Sequence, residues 1–319
     1  MSAPSDPKDF ISIADWSREG LERILARAAA LKIAREKDTP TPTLAGRSVL
    51  LYFEKPSLRT QVTFEVGVAE LGAKSIYLHP DQVRIGVREA VEDVARNVSR
   101  WCHAMVARTF RHDLLLRLAE FASIPLLNAL TDDLHPCQAM ADAQTIQEHG
   151  DLRRDRLVYL GDGNNVAHSL IHLAGRLGMP LTVCAPPGYQ PDPEVVARGR
   201  ALARQSGGDI RLESAPHAAV RDARFVYTDV WASMGQEDEA VLRRGVFPPY
   251  QVNRELLRHA PADVRILHCL PAHRGEEITA EVFESEQSLV FEQAENRLHA
   301  QKAILEAVIQ ARFGGAPHP

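Results

Sequence analysis

The chain has 319 residues, of which 45% are apolar and 25% charged, the proportions of a globular protein with a substantial core and room for one large or two ordinary domains. Its formal net charge of −5 excludes a generally basic surface for nucleic acid, so any anion site must be a local group of arginines. No apolar run approaches the ~18 residues of a membrane helix, MSAPSDPKDF has no signal-peptide core, and Cys102, Cys137, Cys184 and Cys269 show neither paired metal spacing nor a disulfide-dense pattern. A cytoplasmic protein is expected.

The first ten or so residues, polar with two prolines, read as loose. Ile11 to Lys37 reads as helices, followed by a loop from Asp38 to Thr43. Val49–Phe53 is a short apolar run between Gly46 and Pro56, a buried strand by its length and bounds. Ser57 then stands where a helix cap belongs, and Phe64, Val68 and Leu71 recur at helical spacing beyond it. The first turn of such a helix leaves backbone N–H groups unpaired and carries positive dipole, which suits an anion. With Ser57, Arg59 and Thr60 in that turn the stretch reads as a phosphate site. An ordinary capped helix with a surface arginine reads equally well from this stretch alone. It is not a P-loop, because it has no glycine run and no Gly-Lys-Ser.

Ser75–His79 is a second strand, Pro80–Arg88 a mobile loop, and Glu89–Trp101 a helix. Ala104–Arg108 and Ile124–Leu127 are strands ending in Arg-Thr and in Asn128. After a helical stretch from Pro136 to His149 the cycle repeats. Leu157–Leu160 is a strand, Gly161 to Asn165 (GDGNN) a loop, and Leu170, Leu173, Ala174 and Leu177 mark a helix. Leu181–Cys184, Ile210–Leu212, Phe225–Thr228 and Ile266–Leu270 are further strands, and Gln293–Phe313 is a final helix long enough to cross back onto the first half. Strands alternating with helices imply parallel βαβ units. The expected fold is α/β: two open parallel-sheet domains joined by linking helices, residues 1–143 with the helix 293–313 packed on them, and residues 144–292, with the active site in the cleft between.

Ligands of open α/β sheets sit at the carboxyl ends of strands. That rule selects Ser57, Arg59, Thr60, Arg108, Thr109 and His135–Gln138 in the first half. In the second it selects Asp162–Asn165, Asp229–Gly235 and His268–Pro271. Several readings of these residues stay open. GDGNN after a strand suits a dinucleotide loop, although it lacks the third glycine of G-x-G-x-x-G. Cys269 and His273 suit a thiol nucleophile and its base, although no third orienting residue is evident. His268, Cys269 and His273 suit a metal, although Cys-x₃-His alone is a weak signal. His135, taken alone, suits a satisfied structural histidine.

In order along the chain, FEKPSLRT, RTF at Arg108, HPCQAMAD, GDGNN, DVWASMG, HCLPAHRGEE and ENRLHAQK resemble the carbamoyltransferases, and the last four are similar to the ornithine branch. The resemblance spans about residues 46 to 305. It implies a carbamoyl-phosphate domain, an ornithine domain and a homotrimer with sites at subunit interfaces. By position, Ser57, Leu58, Arg59, Thr60 and Arg108 would hold phosphate. His135, Gln138 and the main chain at Cys269 and Leu270 would meet the carbamoyl group, and Arg297 would reach the same ligand. Asn165, Asp229, Ser233 and Met234, with Leu130 nearby, would bind ornithine. Catalysis would rest on Arg108, His135, Cys269 and Arg297. The partners implied are the two small substrates, with no metal, cofactor, nucleic acid or membrane. The pathway implied is arginine biosynthesis.

The chemistry implied agrees with that inventory. The δ-amine attacks the carbonyl carbon of carbamoyl phosphate and phosphate leaves, so nucleophile and leaving group both come from substrates. Three departures from the family pattern stand out. Gln61 replaces an arginine, Leu58 replaces a threonine but keeps its backbone N–H, and Arg84 stands where the residue reaching a neighbouring subunit's site is glutamine or histidine.

Overall fold

The computed structural model describes residues 6–232 and 239–314. Two compact units divide the chain: Met1–Ala141 with Asn296–Pro319, and Asp142–Glu295.

The first unit is built on a parallel sheet ordered β2-β1-β3-β4. Its strands are β1 (Ser48–Phe53), β2 (Lys74–Leu78), β3 (Ala104–Arg108) and β4 (Leu126–Leu130). Every residue of β3, in mid-sheet, is buried, as a parallel strand covered on both faces requires; β4, at one edge, is buried as well, with Phe10 bridged to it, whereas the other edge strand, β2, is only part-buried. Helices α1 (Arg18–Glu36), α2 (Leu58–Glu70), α3 (Pro80–Val83), α4 (Val91–Trp101) and α5 (His112–Phe121) surround it. One core face joins Leu50, Tyr52, Met105 and Leu126 of the strands to Val94 and Val98 of α4 and Leu115 and Leu118 of α5. Helix α6 (Pro136–His149) runs into the second unit.

The second unit repeats the plan with a parallel sheet ordered β7-β6-β5-β8-β9. The strands are β5 (Arg156–Leu160), β6 (Pro180–Cys184), β7 (Asp209–Glu213), β8 (Ala223–Thr228) and β9 (Arg265–His268). Helices α7 (Asn165–Leu177), α8 (Pro193–Ser206), α9 (Pro216–Ala219), α10 (Ala240–Val246), α11 (Arg254–Leu257) and α12 (Ala280–Phe283) fill the connections, and α13 (Val290–Phe313) closes the chain. From Asn296 onward α13 belongs to the first unit, where Lys302 Nζ donates to Glu70 Oε2 at 2.6 Å. In each sheet the strand order reverses once, between β1 and β3 and between β5 and β8. These are the places where an open α/β sheet leaves a crevice for ligands.

Four expectations need correction. Residues 6–10 are tied down rather than loose: Phe10 is fully buried, packs edge-on against Trp16, and exchanges main-chain bonds with Leu126 and Asn128. An apolar ring beside an open strand edge outweighs the polar composition around it. The fourth strand lies at Leu126–Leu130, so Asn128 sits inside it and donates from Nδ2 to the Ile11 carbonyl. Within Pro80–Arg88, α3 forms one turn and Ile85 is buried. The last strand stops at His268, because Leu270 turns into the left-handed region at φ 60°.

Candidate active site

In the first unit Ser57 caps α2, its Oγ accepting the Thr60 N–H at 3.3 Å and donating to Thr60 Oγ1 at 3.0 Å. Leu58 follows as the first helical residue with its side chain 76% exposed, so only its backbone faces the turn. Arg297 of α13 is buried and donates from Nη2 to the same Thr60 hydroxyl at 2.7 Å. Arg108 ends β3, also buried, and its Nε donates to the Lys55 carbonyl at 3.1 Å. His135 and Gln138 open α6 and are both buried.

The charges of Arg297, Arg108 and Arg59 all act on His135. Burial drives its pKa well below the ordinary 6.5, and the charges of Arg297, Arg108 and Arg59 push the same way. A neutral imidazole therefore stands among the charges of three guanidinium groups. Clustered cations in a dry site favour an incoming anion strongly. Leu130 ends β4 beside this group, paired in register with Arg108. Arg84 is exposed, with φ 44° at the end of α3; no bond from its side chain to the arginine group is present among the described residues.

Lys55 belongs to this site and sequence reasoning passed over it. It is only 4% exposed, pairs with Asp132, and stacks over the Phe110 ring at 4.5 Å, while its carbonyl aims Arg108. The available signal was a lysine inside the turn between a buried strand and a capped helix.

In the second unit Asp229 follows β8 and is buried. Its Oδ1 accepts the Val230 N–H at 2.8 Å and the Cys269 thiol at 2.9 Å, and its Oδ2 accepts from Asn164 Nδ2 at 2.8 Å. Asn164 also caps α7, its Oδ1 taking the N–H groups of Val166 and Ala167. Asn165, the residue singled out from sequence, is half-buried at the first helical position. Asn164, inside the Asp162–Asn165 stretch that the strand-end rule selects but outside the ornithine-ligand set, is thus the positioning residue, and its signal was its place as N-cap. Ser233 and Met234 lie outside the described residues.

Asp162 pairs with the buried Arg243 of α10 at 2.8 Å. Burial raises the Asp162 pKa, and the Arg243 charge opposes that rise. Arg243 Nη1 also donates to the Trp231 carbonyl at 2.8 Å, so one guanidinium ties the GDGNN loop to the segment after Asp229.

Three alternatives lose ground on this geometry. The α7 N-terminus cannot cradle a pyrophosphate, because Asn164 already occupies its N–H groups. Gly163 is there because a Cβ would lie 2.2 Å from the Pro191 nitrogen. Cys269 is not an activated thiol: burial first, then the Asp229 charge, raises its pKa well above the ordinary value, and the thiol serves as a donor. Asp229, His268 and Cys269 bring one donor atom each within 4.8 Å, a metal-like grouping. However, His268 Nδ1 accepts the Leu270 N–H, its Nε2 faces Glu277, and the thiol is given to Asp229.

Comparison with known proteins identifies the family of each half of the chain. Residues 8–148 match the family described as aspartate/ornithine carbamoyltransferase, carbamoyl-P binding domain, and residues 154–308 match its Asp/Orn binding domain. The ornithine carbamoyltransferase of Thermococcus kodakarensis is 47% identical over 303 residues, 95% of this chain and 96% of its own length. That of Anoxybacillus flavithermus is 46% identical over the same share of this chain, 95%, and 96% of its own. The solved ornithine carbamoyltransferase of Pyrococcus furiosus superposes with a TM-score of 0.91 at 45% identity, covering 93% of this chain and 95% of that one. The chain belongs to the aspartate/ornithine carbamoyltransferase family.

Proposed function

We infer that the chain transfers the carbamoyl group of carbamoyl phosphate to the δ-amine of L-ornithine, giving L-citrulline and phosphate. The observation that carries the ornithine reading is Asp229. It is a buried carboxylate at the strand-order reversal of the second unit, where the α-ammonium of an amino acid needs an anion.

In this reading Ser57, Thr60, Arg59, Arg108 and Arg297, with the Leu58 N–H, receive the phosphate. Planar guanidinium forks match its oxygens and stabilise the charge that grows as it leaves. His135, kept neutral, donates one N–H to the carbonyl oxygen as it becomes an oxyanion, and Gln138 orients the carbamoyl amide. The Leu270 N–H is committed to His268, so what the Cys269–Leu270 main chain offers is carbonyl oxygens, which suit the carbamoyl NH₂. Asp229 takes the α-ammonium, with Asn165, Ser233, Met234 and Leu130 around the substrate. The δ-ammonium starts near the lysine value of about 10.4, and loss of water beside guanidinium groups favours its neutral, nucleophilic form. Nucleophile and leaving group are both substrates, so the reaction needs neither a metal nor an organic cofactor.

A homotrimer with Arg84 reaching a neighbouring subunit's site belongs to the same reading. It is supported by apolar side chains exposed on the first unit, Leu58, Val62, Val87 and Phe110 among them. Four free buried cysteines support a reducing compartment such as the cytoplasm. The Pyrococcus furiosus relative named as anabolic, 45% identical, supports a place in arginine biosynthesis. Citrulline formation from purified protein tests the reaction. Turnover of another amine, with none of ornithine, would refute the substrate assignment.

A further inference from the structure

The turn after β9 is held by a buried polar chain that the reaction as described does not use. Leu270 sits at φ 60°, a conformation that branched L-residues rarely adopt. Its N–H donates at 2.9 Å to Nδ1 of His268, two residues earlier. An accepting nitrogen carries no proton, so the proton of the neutral ring is on Nε2, which lies 3.0 Å from Oε1 of Glu277. Both side chains are fully buried. The same Oε1 accepts the His273 N–H, closing the loop back on itself. On the other side the His268 N–H donates to Gln293 Oε1 at 2.8 Å, and Gln293 Nε2 donates to Asp142 Oδ1 at 2.7 Å. The apolar residues around this chain include Val252, Ile278, Val282 and Phe283, a setting in which a carboxylate persists only when its donors are fixed.

We propose that Glu277 and His268 are positioning residues: Glu277 holds His268 in the tautomer whose Nδ1 captures the Leu270 N–H. That bond sets the direction of the Cys269 thiol and of the Cys269 and Leu270 carbonyls. The other ring tautomer would turn an N–H against the Leu270 N–H and release the turn. The Cys269 thiol donates to Asp229 Oδ1 at 2.9 Å, so a released turn also disturbs the carboxylate at the ornithine site. The catalytic part of this inference rests on the carbamoyltransferase reading; the tautomer and the fixed turn do not.

The experiment compares two replacements of His268 in the full chain. Asparagine places an acceptor two residues before the Leu270 N–H and closes the same short ring, as asparagine does in turns. Glutamine is closer to histidine in reach and can still meet Glu277, but its amide sits too far out to close that ring. His268→Gln is expected to lower kcat about tenfold to a hundredfold, with the inhibition constant of inorganic phosphate unchanged. His268→Asn is expected to keep most of the activity. Cys269 alkylation by iodoacetamide, located by mass spectrometry, should quicken in His268→Gln and not in His268→Asn.

Equal or higher kcat in His268→Gln than in His268→Asn would overturn the proposal, and so would equal alkylation of the two. If His268→Gln does not fold, Glu277→Gln against Glu277→Met repeats the comparison, because the amide oxygen still accepts from Nε2 and the thioether does not. Equal kcat in that pair overturns the proposal as well. If the native chain makes no citrulline, the carbamoyltransferase reading fails, while the alkylation contrast still decides the positioning of the turn.

Discussion

Replacing Arg297 with methionine separates anion binding from fold stability. Methionine matches arginine in helix propensity and in its unbranched stem, so α13 keeps its geometry. Thr60 Oγ1 loses the 2.7 Å bond from Arg297 but keeps the one from Ser57 at 3.0 Å, so no buried hydroxyl is stranded. Without an anion the change removes one of the three positive charges that act on His135, and melting of the two free proteins sets the baseline. Phosphate then separates them. Arg297 is 2% exposed, so water screens little of its interaction, and a charge-assisted contact there is worth about 1.5–3 kcal/mol. Phosphate affinity should fall roughly 10- to 150-fold.

At a phosphate concentration of about 100 times the native dissociation constant, the native protein gains about 2.7 kcal/mol, while a variant weakened about 100-fold gains about 0.4 kcal/mol. For a domain of this size that is a melting rise of about 5–11 °C against about 1–2 °C. Circular dichroism melts with and without phosphate read the difference. An identical phosphate-induced rise in the two proteins would show that Arg297 does not face the anion and would remove the basis of the first half-site.

Arg243→Met should leave Asp162 as a buried carboxylate without its cation, raising its pKa further and destabilising the protein by about 3–5 kcal/mol. The ornithine KM should rise more than the carbamoyl phosphate KM, and unchanged melting with unchanged KM values would exclude the clamp. Cys269→Ser keeps a donor to Asp229 and should retain citrulline formation within about tenfold, whereas complete loss with a trapped acyl-enzyme would revive a thiol mechanism.

His135 predicts a pH effect on stability. Its folded pKa lies below the ordinary 6.5, so the unfolded chain takes up a proton that the folded chain refuses. The stability is intact above 6.5 and is lost as pH falls below it, by about 1.4 kcal/mol per pH unit until the folded group protonates. Urea denaturation between neutral pH and mildly acidic pH should therefore be less pH-dependent in His135→Asn, and equal slopes would contradict a neutral buried imidazole.

Much of this protein was legible from one-dimensional pattern. The apolar run of β1, the serine before α2 and the return of strand and helix after α6 depend on local propensity and burial, which adjacent residues encode. That is why the parallel α/β plan and the capped turn at Ser57 could be read directly. The strand-end rule also picked out Asp229 and Arg108, because chain direction alone says which end of a parallel strand carries ligands.

Other features depended on partners far apart in the chain. Phe10 looks like part of a loose tail until the open edge of β4 is there to receive it. Arg297 is one more arginine on a long helix until the fold sets it against Thr60, 237 positions away. Asn164 and Asn165 are indistinguishable as letters, and only the start of α7 decides which one caps the helix and holds Asp229. Cys269 reads as a nucleophile from its neighbours in sequence, but burial and a carboxylate 40 positions away make it a hydrogen-bond donor. Sequence records which groups are present and the local structure they prefer. Their charge state and direction are set by desolvation and by contacts across the chain, which exist only once the sheets have assembled.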